Sequence, residues 1–451
     1  MTGLDLSLTI NDRTLPVNSK YKIMRVLMFG WEFPPHISGG LGTACYGLTK
    51  ALMKADVDIL FVAPKLFGDE NPGNIRLINA SDVSVDVRDE VYKTHQDKIS
   101  FMEIDSTLLP YASEEEYYNL VEQLESGISL EQVNLHTQKF QFAGGYGKNL
   151  MEEVRRYAIV ASAIARDNDF DVIHAHDWLT YLAGIEAKRI SGKPLVVHMH
   201  ATEFDRSGEN INEVVFNIER EGMEAADVVV AVSHMTRNTV INRHGISPEK
   251  VITVHNGVEP PADQSKVQIK KHLDEKIVTF LGRITYQKGP EYFIEAAHKI
   301  LQKDSNVRFV MAGSGDLLSR MIRRVAQLNM GTHFHFTGFL KGDDVDRMFG
   351  LSDVYVMPSV SEPFGISPLE AMRSSVPVII SRQSGVSEIL KHALKIDYWD
   401  VDAMADAIYA LLHYPSLAKM FRIYGKTEVE NIKWDQAGIK VKSIYKQLAS
   451  V

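Results

Sequence analysis

The sequence predicts an α/β protein of two doubly wound domains facing each other across a cleft. Two series of short apolar strands alternating with amphipathic helices carry this prediction, because such alternation builds parallel sheets with right-handed crossovers. A polar, proline-containing break at 259–275 (EPPADQSKVQIKKHLDE) separates the series and reads as a linker. Charge divides near the same place. Residues 1–265 hold 24 Lys and Arg against 38 Asp and Glu, a net −14, whereas residues 266–451 hold 25 against 20, a net +5. An asymmetry of this size points to two domains with different partners.

In the first series, residues 23–30 (IMRVLMFG) are apolar and close on Gly, as a buried parallel strand does. A Pro/Gly loop fills 31–42, a helical apolar period runs over 41–54, and 57–63 is a second strand. Residues 66–145 break this rhythm with short alternating pieces, an acidic run at 114–116 and a helical stretch at 117–124. They read as an insertion that shapes a pocket or acceptor groove. Regular order resumes with helix 149–166, strand 172–174, helix 179–189, strand 195–199 and helix 209–224. Strand 228–232, helix 236–243 and strand 251–254 follow, ahead of the turn Asn256-Gly257.

The second series starts with strand 277–281, helix 290–301, strand 307–311 and helix 317–328. It continues through strand 333–336, helix 345–349, strand 354–357, helix 368–372 and strand 377–380. Helical patterns fill 402–429 and a last helix spans 434–448. The expected division is therefore 1–265, 266–430 and a C-terminal helix within 431–451. Ligands of open parallel sheets bind beyond the C-terminal strand ends, so motifs there outrank others.

Composition excludes several classes. Hydrophobic residues at 45% and charged residues at 24% rule out wholesale disorder. No apolar run reaches the ~18–20 residues of a membrane helix; the richest, 225–232, is broken by Asp227. MTGLDLSLTI lacks the basic start and apolar core of a secretory signal. Cys45 is the one cysteine, which excludes a disulfide framework and a cysteine zinc site and suits a reducing cytoplasm. A net charge of −9 argues against nucleic-acid binding. The positive half is the better place for an anionic ligand.

Five motifs lie at predicted strand ends. PPHISGGLGT sets Gly39, Gly40 and Gly42 before a helix start, where bare N–H groups suit a phosphate or sugar oxygen. Its spacing matches neither the dinucleotide fingerprint nor the Walker loop. AHDW brings His174, His176 and Asp177 to one strand end, and His198 and His200 stand at another. Histidine and carboxylate clusters can bind a metal, but no third cluster is spaced to complete such a site here. Contact with a substrate hydroxyl or a structural role fits equally well. Arg283 and Lys288, five apart in GRITYQKG, can converge on one anion, although a solvated surface pair is the alternative. AGSGD at 312–316 is a weak glycine signal. The strongest block is PSVSEPFGISPLEAM, in which Glu362 and Glu370 stand eight apart. Ser367-Pro-Leu-Glu370 is also a capping box in outline, so Glu370 could do no more than close its own helix.

In order, PPHISGGLG, DVIHAHDW, HATEFDR, HNGV, GRITYQKG and SEPFGISPLEAM resemble the retaining glycosyltransferases of the GT-B fold. That group includes glycogen and starch synthases, sucrose synthases and bacterial mannosyl- and glucosyltransferases. The likeness covers nearly the whole chain and is weakest over 66–145. Glu–seven–Glu with Phe-Gly between is the specific signature, and HAHDW resembles the glycogen synthase branch.

The resemblance implies two Rossmann-like domains, an acceptor-side first domain, a nucleotide-sugar-binding second domain and a last helix that crosses back. It implies that Arg283 and Lys288 hold a donor diphosphate, that Glu370 accepts from the ribose hydroxyls and that Glu362 sits beside the transferred sugar. It places His176 near the reacting centre, with Gly39, Gly40, Gly365, Ile366 and Ser367 around the donor. It further implies retention, no metal and no cofactor. The substrates would be a nucleotide sugar (UDP- or ADP-glucose) and a neutral carbohydrate acceptor, α-glucan first, with small-molecule, lipid or polysaccharide-repeat acceptors as alternatives. Ile37 stands where ADP-glucose-using bacterial synthases carry Lys, and Ser384-Gly385-Val386-Ser387-Glu388 replaces the family's Gly-Gly…Pro-Glu loop near the acceptor. A phosphorylase, an epimerase, a histidine metallohydrolase and a non-catalytic glucan-binding protein are the rivals from other classes.

Overall fold

A computed structural model describes residues 23–37, 39–100, 137–259 and 274–449. The helical stretch at 117–124 and most of the break at 259–275 lie outside the described residues. The strands in chain order are β1 (Met24–Phe29), β2 (Val57–Ala63), β3 (Arg76–Asn79), β4 (Ser84–Asp86), β5 (Thr137–Lys139), β6 (Val172–His176), β7 (Leu195–Met199), β8 (Val228–Ala231) and β9 (Val251–Thr253). Seven of them form one sheet in the order β3-β2-β1-β6-β7-β8-β9, all pairs parallel. β4 and β5 form a separate antiparallel ribbon within the interrupted stretch.

The second sheet contains β10 (Lys276–Leu281), β11 (Val307–Ala312), β12 (Phe334–Gly338), β13 (Val354–Met357), β14 (Val378–Ser381) and β15 (Leu394–Ile396). Its order is β12-β11-β10-β13-β14-β15, again all parallel. Strand order reverses beside β1 and beside β10, and ligand crevices form at such points.

Two faces of one strand explain the layers. Leu27 and Phe29 enter the core made with helices Leu150–Asp167 and Trp178–Ser191, whereas Val26 and Met28 enter the opposite core with helix Gly40–Lys54. The final helix, Trp434–Ala449, joins that second core through Trp434, Val441 and Tyr445. Glycines let it lie close: a Cβ on Gly47 would stand 2.4 Å from the Trp434 ring. Parallel strands buried on both faces read as continuous apolar runs, so β6 (VIHAH) and β7 (LVVHM) carry their histidines inside the protein.

Three differences from the expected elements have local causes. The helix expected at 209–224 starts later, as Glu213–Ala225, and an unexpected short helix, Glu203–Ser207, precedes it, because Thr202 and Asp205 form a capping box and Gly208 at φ 63° ends the short one. The pattern over 402–429 splits at Pro415 into Val401–His413 and Pro415–Val429. β6 runs on to His176, two residues beyond the expected end. Among the described residues, no helix is long and apolar enough to cross a membrane.

Candidate active site in the interdomain cleft

The C-terminal ends of β1, β6, β10 and β11 open onto one cleft of about 760 Å³. On the second-domain side, Gly282 follows β10 and Gly313 follows β11. Gly282 N–H donates to Ala312 O at 3.0 Å and Gly313 N–H donates to Gly338 O at 2.8 Å. A Cβ on Gly313, whose φ is 146°, would stand 1.9 Å from Gly282 O. Glycine here is a steric requirement, and it leaves bare backbone at the cleft wall.

Arg283 follows immediately, its Nη2 donating to Gln287 Oε1 at 3.1 Å. The chain then makes a 3₁₀ turn, Tyr286–Lys288, and Gly289 at φ 62° starts helix Pro290–Leu301. A Cβ on Gly289 would stand 2.2 Å from Pro358 O, so this turn rests on the chain that leaves β13. The consequence is an ion pair between Lys288 and Glu362. Glu362 is only 7% exposed; its N–H donates to Gln383 O at 2.9 Å and its carbonyl accepts from Gly385 N–H at 2.8 Å. Arg283, Lys288, Glu362, Gly365, Ile366 and Glu370 all line the cleft, and so do Gly39 and Gly40 from the first domain.

Ser367 does not line the cleft. Its hydroxyl bonds with the Tyr355 side chain. Helix Ser367–Arg373 starts after Ile366 with no side-chain cap. The capping box that the sequence allows is therefore not formed, and the Glu370 carboxyl faces the cleft. Burial pushes that carboxyl above its ordinary range, with Arg373 opposing and Asp346 reinforcing the shift.

The expected position of His176 needs correction. Because β6 persists to this residue, its ring is buried and does not line the cleft. The chain leaves the strand at Asp177, a non-glycine residue at φ 63°. Conformations of this kind collect at functional sites. His176 pairs with His198 in register, so His200 lies past the end of β7 and reaches the cleft, as does Asp177. His176 Nδ1 and His200 Nε2 are 2.9 Å apart and share a proton between them.

His174, His176, His198 and His200 form a stack with neighbouring ring centroids 4.3–5.4 Å apart. Burial, reinforced by the neighbouring rings, holds His174, His176 and His198 well below the ordinary imidazole range, and burial takes His200 down to about 3. Nitrogens of His174, His176 and His198 approach within 4.8 Å of one another. Their rings nevertheless lie within 24° of parallel. In-plane lone pairs on stacked rings run side by side and do not converge on one ion. Those three rings fit neutral imidazoles better than a metal.

Behind Asp177, the Arg206 guanidinium contacts Asp177 at 3.1 Å, Glu219 at 2.8 Å and Glu203 at 3.6 Å. Burial raises the Asp177 carboxyl to about 6, with Arg206 opposing. The loop after β14 ends in Glu388, which accepts from His234 N–H, Met235 N–H and His255 Nε2 at 2.7–2.9 Å. Glu388 thus caps helix His234–His244 of the first domain. Although burial pushes its carboxyl up, the bonds from His255, His234 and Met235 hold it below the usual range. Asp177 was visible in the motifs beside His174 and His176, and His200 as the second member of a pair with His198. Glu32 and Lys341, which also line the cleft, carried no sequence signal.

Comparison with known proteins agrees with this architecture. Residues 262–428 match the family model for glycosyl transferases group 1, and residues 128–260 match that for glycosyltransferase family 4. An uncharacterised glycosyltransferase of Methanocaldococcus jannaschii is 27% identical over 443 residues, 94% of this chain and 98% of that protein. The alpha-maltose-1-phosphate synthase of Mycolicibacterium smegmatis is 30% identical over 311 residues, 62% of this chain and 79% of that protein. In structure, sucrose-phosphate synthase from Thermosynechococcus elongatus superposes over 95% of this chain and 99% of its own, with a TM-score of 0.67 at 18% identity. That likeness is one of fold.

Proposed function

The chain belongs to the group 1 glycosyltransferases, and on that premise we propose that it moves a hexosyl unit, glucose first, from a nucleotide diphosphate sugar to a carbohydrate hydroxyl with retention. An α-glucan is the favoured acceptor. The observation that carries this reading is the convergence of Arg283, Lys288 and the bare Gly282 and Gly313 backbone on one cleft wall. Two cations at a strand-to-helix junction suit a diphosphate, and stabilise it most as it departs with negative charge.

Lys288 holds Glu362. A bound diphosphate draws Lys288 away and releases the Glu362 carboxylate to accept from a sugar hydroxyl. The anomeric carbon–oxygen bond then breaks, and its electron pair leaves on the diphosphate that Arg283, Lys288 and the amides of Gly365 and Ile366 stabilise. The acceptor oxygen attacks from the same face, and its proton passes to the departing phosphate oxygen. His200, neutral and bonded to His176, is placed to orient a hydroxyl at this centre, which makes His176 a positioning residue. The proposed reaction needs no divalent ion or cofactor and takes place in the cytoplasm. Domain closure excludes water.

A screen of UDP-, ADP- and GDP-sugars in chelator, with glycogen, maltose or no acceptor, tests this by nucleotide release. Release with a glucosyl donor that rises with glucan is expected. Binding of glucan without turnover of any donor would convert the protein into a non-catalytic glucan binder. Glu370→Gln gives a second test. Loss of a charge-assisted bond to ribose is expected to weaken nucleotide binding by about tenfold. Unchanged affinity by calorimetry would remove Glu370 from the donor site.

A further inference from the structure

Resting on the glycosyl-transfer reading, we propose that the first-domain wall of the cleft takes an uncharged sugar acceptor and rejects phosphorylated ones, with Glu32, Asp177 and Glu259 setting that choice. The cations lining the cleft, Arg283, Lys288, Lys341 and Arg373, all come from the second domain, which also contributes Asp343, Asp346, Glu362 and Glu370. Among the described residues, the first domain contributes Glu32, Asp177 and Glu259 and no Lys or Arg.

Neighbouring charges do not reverse this balance. Glu32 is 7% exposed and lies against the start of helix Gly40–Lys54, where its Oε2 is 2.7 Å from the place a Cβ on Gly42 would occupy. Arg206 lies behind Asp177 with a side chain only 4% exposed, and it is divided among Asp177, Glu219 and Glu203, so carboxylates outnumber it. Lys50 answers Glu259 alone, at 3.1 Å. His200 adds no positive charge, since burial keeps its ring neutral.

A phosphate brought to this wall meets three lining carboxylates, whereas Arg206 and Lys50, the cations paired with two of them, do not line the cleft, an arrangement that selects by repulsion. Sugar hydroxyls meet acceptor oxygens instead, and each ionised carboxylate offers about four lone-pair sites to them. The second-domain cations then serve the donor without attracting anionic acceptors.

The test follows nucleotide release from UDP-glucose and ADP-glucose with matched pairs: glucose and glucose 1-phosphate, fructose and fructose 6-phosphate, maltose and maltose 1-phosphate. The unphosphorylated member of each pair is expected to have a kcat/KM at least about tenfold higher. Equal or better use of the phosphorylated members overturns the proposal. UDP-loaded protein is also titrated with glucose 1-phosphate in a calorimeter at millimolar concentration. No binding is expected, and saturable binding overturns it. Glu32→Gln, folded as judged by its melting curve, is expected to narrow the preference by about threefold or more. An unchanged ratio removes Glu32 from the assignment. Failure of the donor reading is distinguishable, since neither UDP nor ADP would then bind at all.

Discussion

Lys288→Ala is expected to lower kcat/KM for sugar transfer by about 10³-fold while the protein stays folded, in line with the loss of one well-placed charge donor at a leaving group. Arg283→Ala should lose a similar amount. Lys288 is the sharper test because its partner is known: the ammonium is held by Glu362, whose side chain is 9% exposed. Removing Lys288 leaves a buried carboxylate without its cation, which destabilises as well as disarms. The two effects separate in the double substitution Lys288→Ala with Glu362→Gln. Its melting temperature should return toward that of the parent, whereas its transfer rate should not. Parent-like rates in any of these variants would remove the diphosphate assignment.

The second large effect is on stability. Between pH 7 and 5.5 the protein should lose about 1 kcal/mol for each of four neutral imidazoles, three buried and His200 at the cleft, up to about 4 kcal/mol together. The sign follows from proton uptake. Unfolded histidines bind protons below about 6.5, whereas the folded rings of His174, His176, His198 and His200 resist protonation until far lower pH. Stability is therefore present above the unfolded value and lost as pH falls. Asp177, raised to about 6, binds a proton in the folded state over the same window and offsets less than about 1 kcal/mol. Against a typical total of roughly 5–15 kcal/mol, the loss is large. Denaturant unfolding at the two pH values measures it, and equal stabilities would refute it. His198 has no hydrogen-bond partner on either ring nitrogen. His198→Leu should thus fold at pH 7 and shed about a quarter of the pH dependence.

The sheets were legible because parallel strands buried on both faces leave continuous apolar runs. The bounds of β2, β7 and β13 coincide with the expected ones. Short β15 was missed, since three residues (LKI) carry too little pattern. Within the site, Arg283, Lys288, Glu362 and Glu370 were legible because they sit in loops or at a helix start, where side chains have few structural duties. His176 misled for the opposite reason. A strand end cannot be fixed to within two residues from pattern, and those two residues decide which of two alternating histidines reaches the cleft. Glu370 shows a further limit. A capping box and a carboxylate that lines a cleft look the same in sequence, and only the uncapped start of Ser367–Arg373 shows that the box is not formed.

One consequence follows from the way the last helix returns to the first domain. The chain leaves that domain after Glu259 and re-enters it after Ile432. The two passages touch: Val258 N–H donates to Ile432 O at 3.1 Å, and Gly257 has room only for hydrogen against the Trp434 backbone. Two passages bonded side by side behave as a single pivot. A rotation of the second domain about it would carry Arg283 and Lys288 along one path, so that alignment would be set by the axle and not by the substrate. Loosening the axle at Gly257, far from any reacting atom, would let the jaws meet out of true.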